Sequence, residues 1–315
     1  MSAVITTPTT EQMQVHKATP SFFGLVRGEF FKLSRQWTTW ILFVLLLGTF
    51  VLPIIVEATG ADIKDRINAD ALHFYYNQLG ITMSILRVFS GIFLLIVTAR
   101  VIGLEYQLGT IRVLLSRGVG RLQLLFAKLL TVVLVALAII ALGILINYLL
   151  TILMVSAIIG NLDSLSKLTS QFWSDAWVYV WYTLLNAGVS ILLATAAAVV
   201  GRSLSFGLSA ALVFFPIDNF GTLIMNLAFR ITHSDFWLSI TAYFLGPNLN
   251  VMPTVLTSGR VDSIGATPLY LVDPQTNQAH GILVDGTQTL VVAAVYAAIF
   301  AIAAIWLTWK RDVKE

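Results

Sequence analysis

Six long apolar runs dominate the chain, near residues 37–56, 79–104, 129–157, 174–200, 203–229 and 288–309. Each reaches the roughly 20 residues that a helix needs to cross a bilayer. The pattern predicts an all-α polytopic membrane protein with six transmembrane helices. The fourth and fifth runs are separated only by Gly201-Arg202, which predicts a tight helical hairpin. The first run is longer than the ~7–15 residues of a signal core and five more follow, so it reads as a span rather than a cleaved leader.

The polar positions between the runs are unevenly spread. Residues 1–20, rich in Thr, Pro and Gln, read as a disordered tail. Over 21–36, Phe22, Phe23, Val26, Phe30 and Leu33 recur with a helical period while Arg27, Lys32 and Arg35 oppose them. That is an N-terminal amphipathic helix lying in the membrane interface, either as a lipid anchor or also in contact with a cytoplasmic partner. Residues 230–287 form the largest connection. Its stretch Phe236–Leu256 is too apolar for an aqueous loop, and Pro247 and Pro253 interrupt it, so it predicts short helices dipping back into the bilayer. Beyond it, Leu269–Val272 and Ile282–Val284 around Asp273-Pro274 suggest a small hairpin. Residues 311–315 complete the chain as a short polar tail.

Composition agrees: 57 % of residues are hydrophobic and 11 % charged, against roughly 25 % charged in ordinary globular chains. The net charge of +3 gives no reason to expect a nucleic-acid partner. The positions of the charges say more. With the N-terminus inside, thirteen of the 19 Lys and Arg residues fall on the cytoplasmic side, including Arg27, Lys32, Arg112, Arg117, Arg121, Lys128, Arg202 and Lys310. The positive-inside rule then places both termini in the cytoplasm and the chain in the cell membrane.

Catalytic chemistry is hard to find. There is no cysteine and no G-x-x-x-x-G-K-[ST] phosphate loop, and His16, His73, His233 and His280 are scattered without metal-ligand spacing. His233-Ser234-Asp235 contains triad residue types, but adjacency in sequence reads as a helix-capping turn. The chain is therefore expected to be non-catalytic, with no cofactor of its own. Two charges fall inside predicted spans, Arg87 in the second and Asp218 in the fifth, just after Pro216. Charges at that depth are costly and find partners or water. Their similar depth makes them a candidate ion pair, the alternative being that each reaches the outer aqueous layer separately. Small-residue stripes, Ser190/Ala194/Ala198 in the fourth span and Ala293/Ala297/Ala301 in the sixth, suit close helix packing within the chain or between copies.

The segment between spans two and three carries the most specific signal. It contains Glu105, Gly109-Thr110, Arg112, Leu114-Leu115-Ser116, Arg121 and Ala127-Lys128. This stretch resembles permeases of the ABC type 2 exporter family, in which a Glu ends the second span and a Gly-Thr, an Arg and a Leu-Leu-Ser/Thr run follow. The interfacial helix at 21–36 and the run Phe244–Leu249 look like the same family. Family members often have Pro where Gly118 stands. The resemblance implies that 105–121 contains a cytoplasmic coupling helix received by a cleft of a separate ABC ATPase. The candidate coupling residues are Glu105, Gly109, Thr110, Ile111, Arg112, Leu114, Leu115, Arg117 and Arg121, with Ile111, Leu114 and Leu115 as the apolar patch. ATP and Mg would then belong to the partner, and two permeases, identical or homologous, would assemble with two ATPases among membrane lipids. The substrate class left open is amphipathic, lipid-like or drug-like. An ion-gradient-driven secondary transporter and a structural or sensory membrane subunit are the other readings. Six spans without evident inverted repeats weigh against the former.

Overall fold

The computed structural model describes residues 21–60, 62–264, 269, 271–272 and 279–310; the expected tails at 1–20 and 311–315 lie outside them. In chain order the helices are α1 (Phe22–Ser34), α2 (Trp37–Ala58), α3 (Ile63–Ala69), α4 (Ala71–Gln107), α5 (Thr110–Ser116), α6 (Arg121–Ile159), α7 (Ser170–Gly201), α8 (Leu204–Thr232), α9 (Asp235–Thr241), α10 (Leu245–Leu256) and α11 (Gly286–Lys310). A 3-10 turn at Asp163–Lys167 joins α6 to α7. Six of these helices, α2, α4, α6, α7, α8 and α11, are long and apolar enough to span a bilayer, and the protein is an all-α polytopic membrane protein.

Helices α4 and α6 run 37 and 39 residues. At ~1.5 Å per residue each is longer than 50 Å, well beyond the ~30 Å hydrocarbon layer, so both project from it. Helices α4 and α7 form the centre, with 67 % and 61 % of their central windows buried. By contrast α2, α8 and α11 bury only 17 %, 11 % and 17 % and present apolar residues outward. Leu86 and Leu94 of α4, Ile140 of α6, Tyr179 of α7 and Leu249 of α10 meet in the main core. The stripe on α7 serves packing within the chain: Ser190 faces Gly91 of α4 and Ala198 lies against Gly207 of α8. The α7–α8 hairpin turns where expected, with Arg202 in the left-handed region at φ 48°.

The two ends of the bundle differ. One gathers α1, α5, the α7–α8 turn and the end of α11. The other gathers α3, the 3-10 turn, α9 and α10. There 235–256 forms the two short helices α9 and α10, with Leu245, Leu249 and Met252 of α10 fully buried. It is pinned by Arg260, whose Nε and Nη2 donate to the two oxygens of Asp175 at 2.7 and 2.9 Å. Segment 257–264 also crosses α4 so closely that a Cβ on Gly80 would stand 2.4 Å from the Asp262 carbonyl oxygen. The hairpin is shifted from its expected register. Strand β1 (Leu271–Val272) pairs antiparallel with β2 (Ala279–His280), and 282–284 is not a strand. The alternation of 282–284 resembles a strand, but this segment packs as the lead-in to α11, with Val284 buried beside Ala242 and Leu269.

Candidate functional site

Two glycines shape the segment between α4 and α6. Gly109, at φ 68°, takes the left-handed conformation that glycine adopts without steric cost and turns the chain out of α4 into α5. Gly118, at φ 84°, turns it again toward α6. Proline is locked near −65°, so this turn is of a different kind from one carrying Pro at the same place. The result is a seven-residue helix held across the end of the bundle between two helices that project from the membrane.

The faces of α5 differ from the expected patch. Ile111 and Leu115 turn toward the bundle, where with Val199 and Leu307 they line a cavity of about 100 Å³. Leu114 is half-buried. The apolar groups that stand outward are Leu108 and Val113, 64 % and 51 % exposed, flanked by Thr110, Arg112, Ser116 and Arg117. In so short a helix a three- to four-residue spacing selects the face, and 112 and 116 share one line, while Leu108 belongs to the turn that precedes the helix. Arg112 and Arg121 also reach the inner cavity, where Arg202 of the α7–α8 turn joins them.

Glu105 is not on the exposed surface at all. It is buried, and its Oε1 accepts from Lys32 Nζ of α1 at 2.7 Å and lies 3.0 Å from Lys128 Nζ of α6. Lys128 donates also to Glu29 Oε2 at 2.9 Å and to the Val101 carbonyl at 2.9 Å, while Lys32 donates to Glu29 Oε1 at 2.7 Å. Two acids and two bases from three helices thus close a charge-neutral ring. Burial works against the Lys32 ammonium, but its hydrogen bonds to Glu105 and Glu29 outweigh this and raise its pKa above the ordinary lysine value. Breaking a buried pair on one side typically costs about 3–5 kcal/mol, so the ring ties α1 to both flanks of α5.

Glu29 was not anticipated, although a signal was present: it lies three residues from Val26 and four from Leu33, on the face of α1 that is buried. Phe23, expected on that face, is instead 76 % exposed. An acid among apolar positions on a helix announces a buried partner.

The candidate pair deep in the spans is not an ion pair. Arg87 is buried and its Nη1 donates to Tyr182 Oη at 2.6 Å, Asn250 Oδ1 at 2.9 Å and the Leu249 carbonyl at 3.3 Å. Tyr182 in turn donates to the Leu249 carbonyl. Asp218 is half-buried and accepts from the backbone N–H of Gly246. Helix α10 therefore stands between the two charges, its first turn meeting the anion and its middle meeting the cation. Asn250 extends the connection by donating to Asn219 Oδ1 at 2.9 Å. His233 and Ser234 are the caps of α8 and α9, and Asp235 meets His280 at 2.8 Å rather than His233, so no triad forms. Among the described residues no group of acids and histidines is arranged to hold a metal.

No curated protein matches the chain significantly. The family profile described as "ABC-2 family transporter protein" matches residues 25–218, well over half of the 315 residues. The matched stretch takes in the charge ring, α5, four of the six spanning helices whole and the first half of α8, and the chain belongs to the ABC-2 family of transporter membrane proteins.

Proposed function

We propose that the chain is the permease subunit of an ATP-driven exporter and that α5 is its coupling helix, received by a cleft in a separate cytoplasmic ABC ATPase. The observation that carries this reading is the outward surface of α5 and of the turn before it, with Val113 exposed beside Arg112, Ser116 and Arg117 and Leu108 exposed ahead of Gly109. A seven-residue helix has little stability of its own. Here it is braced by two glycine turns and by the charge ring behind it. An apolar pair rimmed by arginines suits a protein cleft, where exposed groups gain burial and charge-assisted hydrogen bonds. Motion of the ATPases would reach α4, α6 and α1 together through the ring. In this arrangement ATP and Mg act on the partner chain, the termini are cytoplasmic, and the membrane is the cell membrane. The little-buried α8 offers a surface to a second permease. The cargo is an amphipathic, lipid-like or drug-like molecule.

The test is co-purification in mild detergent followed by mass spectrometry. A chain bearing a phosphate-binding loop should accompany the wild type and be lost from Arg112→Glu/Val113→Asp, with the spans still folded. Equal retention in both would transfer the role of α5 to lipid anchoring.

A further inference from the structure

Along α1 every fourth residue from 23 to 35 stands on one exposed line: Phe23, Arg27, Phe31 and Arg35. A four-residue spacing keeps side chains on one side of a helix. Phe23 and Phe31 are 76 % and 60 % exposed, and the Arg35 guanidinium lies 5.1 Å from the centre of the Phe31 ring. The protein itself engages the rest of the helix, with Val26 and Leu33 buried and Glu29 and Lys32 held in the charge ring. Glu29 is the one acid of α1, so the exposed line carries two positive charges and no negative one. Among the described residues neither Arg27 nor Arg35 meets a carboxylate.

The contacts of α1 fix the level at which this line stands. Only Gln36 separates Arg35 from Trp37, the first residue of α2, which is 83 % exposed. Trp40, 53 % exposed, donates through Nε1 to the Ser34 carbonyl at 2.8 Å and closes the corner between the helices. Exposed tryptophans at the end of a span favour the level of the lipid headgroups. Further back, Glu29 accepts from Lys128, which precedes the apolar run 129–157, and Lys32 donates to Glu105, which follows the run 79–104. The middle and the end of α1 therefore meet the ends of three spans, and the helix runs along the bilayer surface rather than away from it.

The chemistry of the line matches that level. A phenyl ring favours hydrocarbon and a guanidinium favours water or phosphate, so the two interleaved suit the layer where phosphates overlie acyl chains. The guanidinium fork binds phosphate oxygens in pairs. A zwitterionic headgroup brings its own cation and leaves both arginine charges uncompensated, whereas an anionic headgroup neutralises them. We propose that Phe23, Arg27, Phe31 and Arg35 form a docking surface for anionic phospholipid headgroups, with phosphates on the guanidiniums and the rings among the upper acyl chains. The surface selects lipid by net charge, and it needs neither α5 nor an ATPase.

The experiment uses the full chain, which has no cysteine of its own, with Ser34→Cys carrying a nitrobenzoxadiazole dye beside the line. It is reconstituted in phosphatidylcholine vesicles containing a small fraction of either phosphatidylglycerol or phosphatidylcholine that bears a nitroxide near the top of its chain. Quenching of the dye reports which lipid sits against α1. The nitroxide phosphatidylglycerol should quench at a several-fold lower fraction than the phosphatidylcholine, by up to about fivefold for each arginine at low salt. Arg27→Gln and Arg35→Gln should each reduce that preference, and the double change should bring it to parity. Arg27→Lys and Arg35→Lys keep the charge and should retain most of it. Should a variant fail to fold, the wild type still decides, because concentrated salt should erase the preference while quenching by both lipids persists. Equal quenching by the two lipids at low salt would overturn the proposal and leave α1 resting on the bilayer without headgroup recognition. Quenching by neither would overturn it too, placing the line in water and leaving it to a protein partner. These vesicles contain no ATPase, so failure here is distinct from failure of the ATP-driven reading.

Discussion

The chain treats buried charge in two opposite ways. Beside α5, Glu29, Glu105, Lys32 and Lys128 neutralise one another across three helices. Around α10, Arg87 and Asp218 have opposite signs yet remain apart, each held by neutral groups and backbone. The difference follows from what each place supplies. Lysines on α1 and α6 have long stems that reach the carboxylates, so direct pairing is available. Near Arg87, the turned-back α10 brings a carbonyl, an asparagine and a free N–H of its first turn into the spans, and these dipoles do the work instead. The ring is well compensated and suits a rigid link. The Arg87 site is less so, since its Nε and Nη2 are buried without partners among the described residues.

The largest effect should come from unbalancing the ring. Lys128→Met is expected to cost about 3–5 kcal/mol in detergent unfolding, because it strands two carboxylates on Lys32 alone. Adding Glu105→Gln should cost at least ~1 kcal/mol less than the sum of the two single changes. A loss below ~1 kcal/mol for Lys128→Met would remove the distinction between the two regions.

Next comes the Arg87 site, where Arg87→Met should lose about 1.5–3 kcal/mol, the scale of a charged hydrogen bond. Asp218→Asn should cost less, and the two losses should add within ~0.5 kcal/mol. Arg87→Met and Asn219→Ala should instead couple, since Asn250 bridges them. Strong coupling between Arg87 and Asp218 would restore the direct pair.

The smallest effect is titration of the ring. Lys32 has a folded-state pKa above its ordinary 10.5, so its stabilisation is complete below that value and is lost as pH rises through the folded pKa. Being half exposed, it should contribute under ~1 kcal/mol after screening. Unfolding followed from pH 9 upward should show an alkaline loss that Lys32→Met lacks.

How much of this could be read beforehand depended on range. The spans, the α7–α8 turn and the helical segment 110–116 follow from local periodicity and glycine placement, and hydropathy registers both. The exposed face of α5 did not follow, because Ile111, Val113, Leu114 and Leu115 are equally apolar and only contact with Val199 and Leu307 decides which turn inward. Glu105 carried the right family signature but the wrong environment, since its partners lie 73 and 23 positions away. The separation of Arg87 from Asp218 depends on α10, and where a turned-back helix docks is set by packing rather than by its own composition.

The central claim is that the outward face of α5 meets an ATPase while Ile111 and Leu115 on its inner side face the bundle. Site-specific photo-crosslinking tests it directly, with a benzophenone amino acid at Val113 or at Ile111 in native membranes. From Val113 the account predicts a crosslink to a chain that carries a phosphate-binding loop, and from Ile111 crosslinks within the permease to α7 or α11. Lipid adducts alone from Val113, or the same products from both positions, would contradict it.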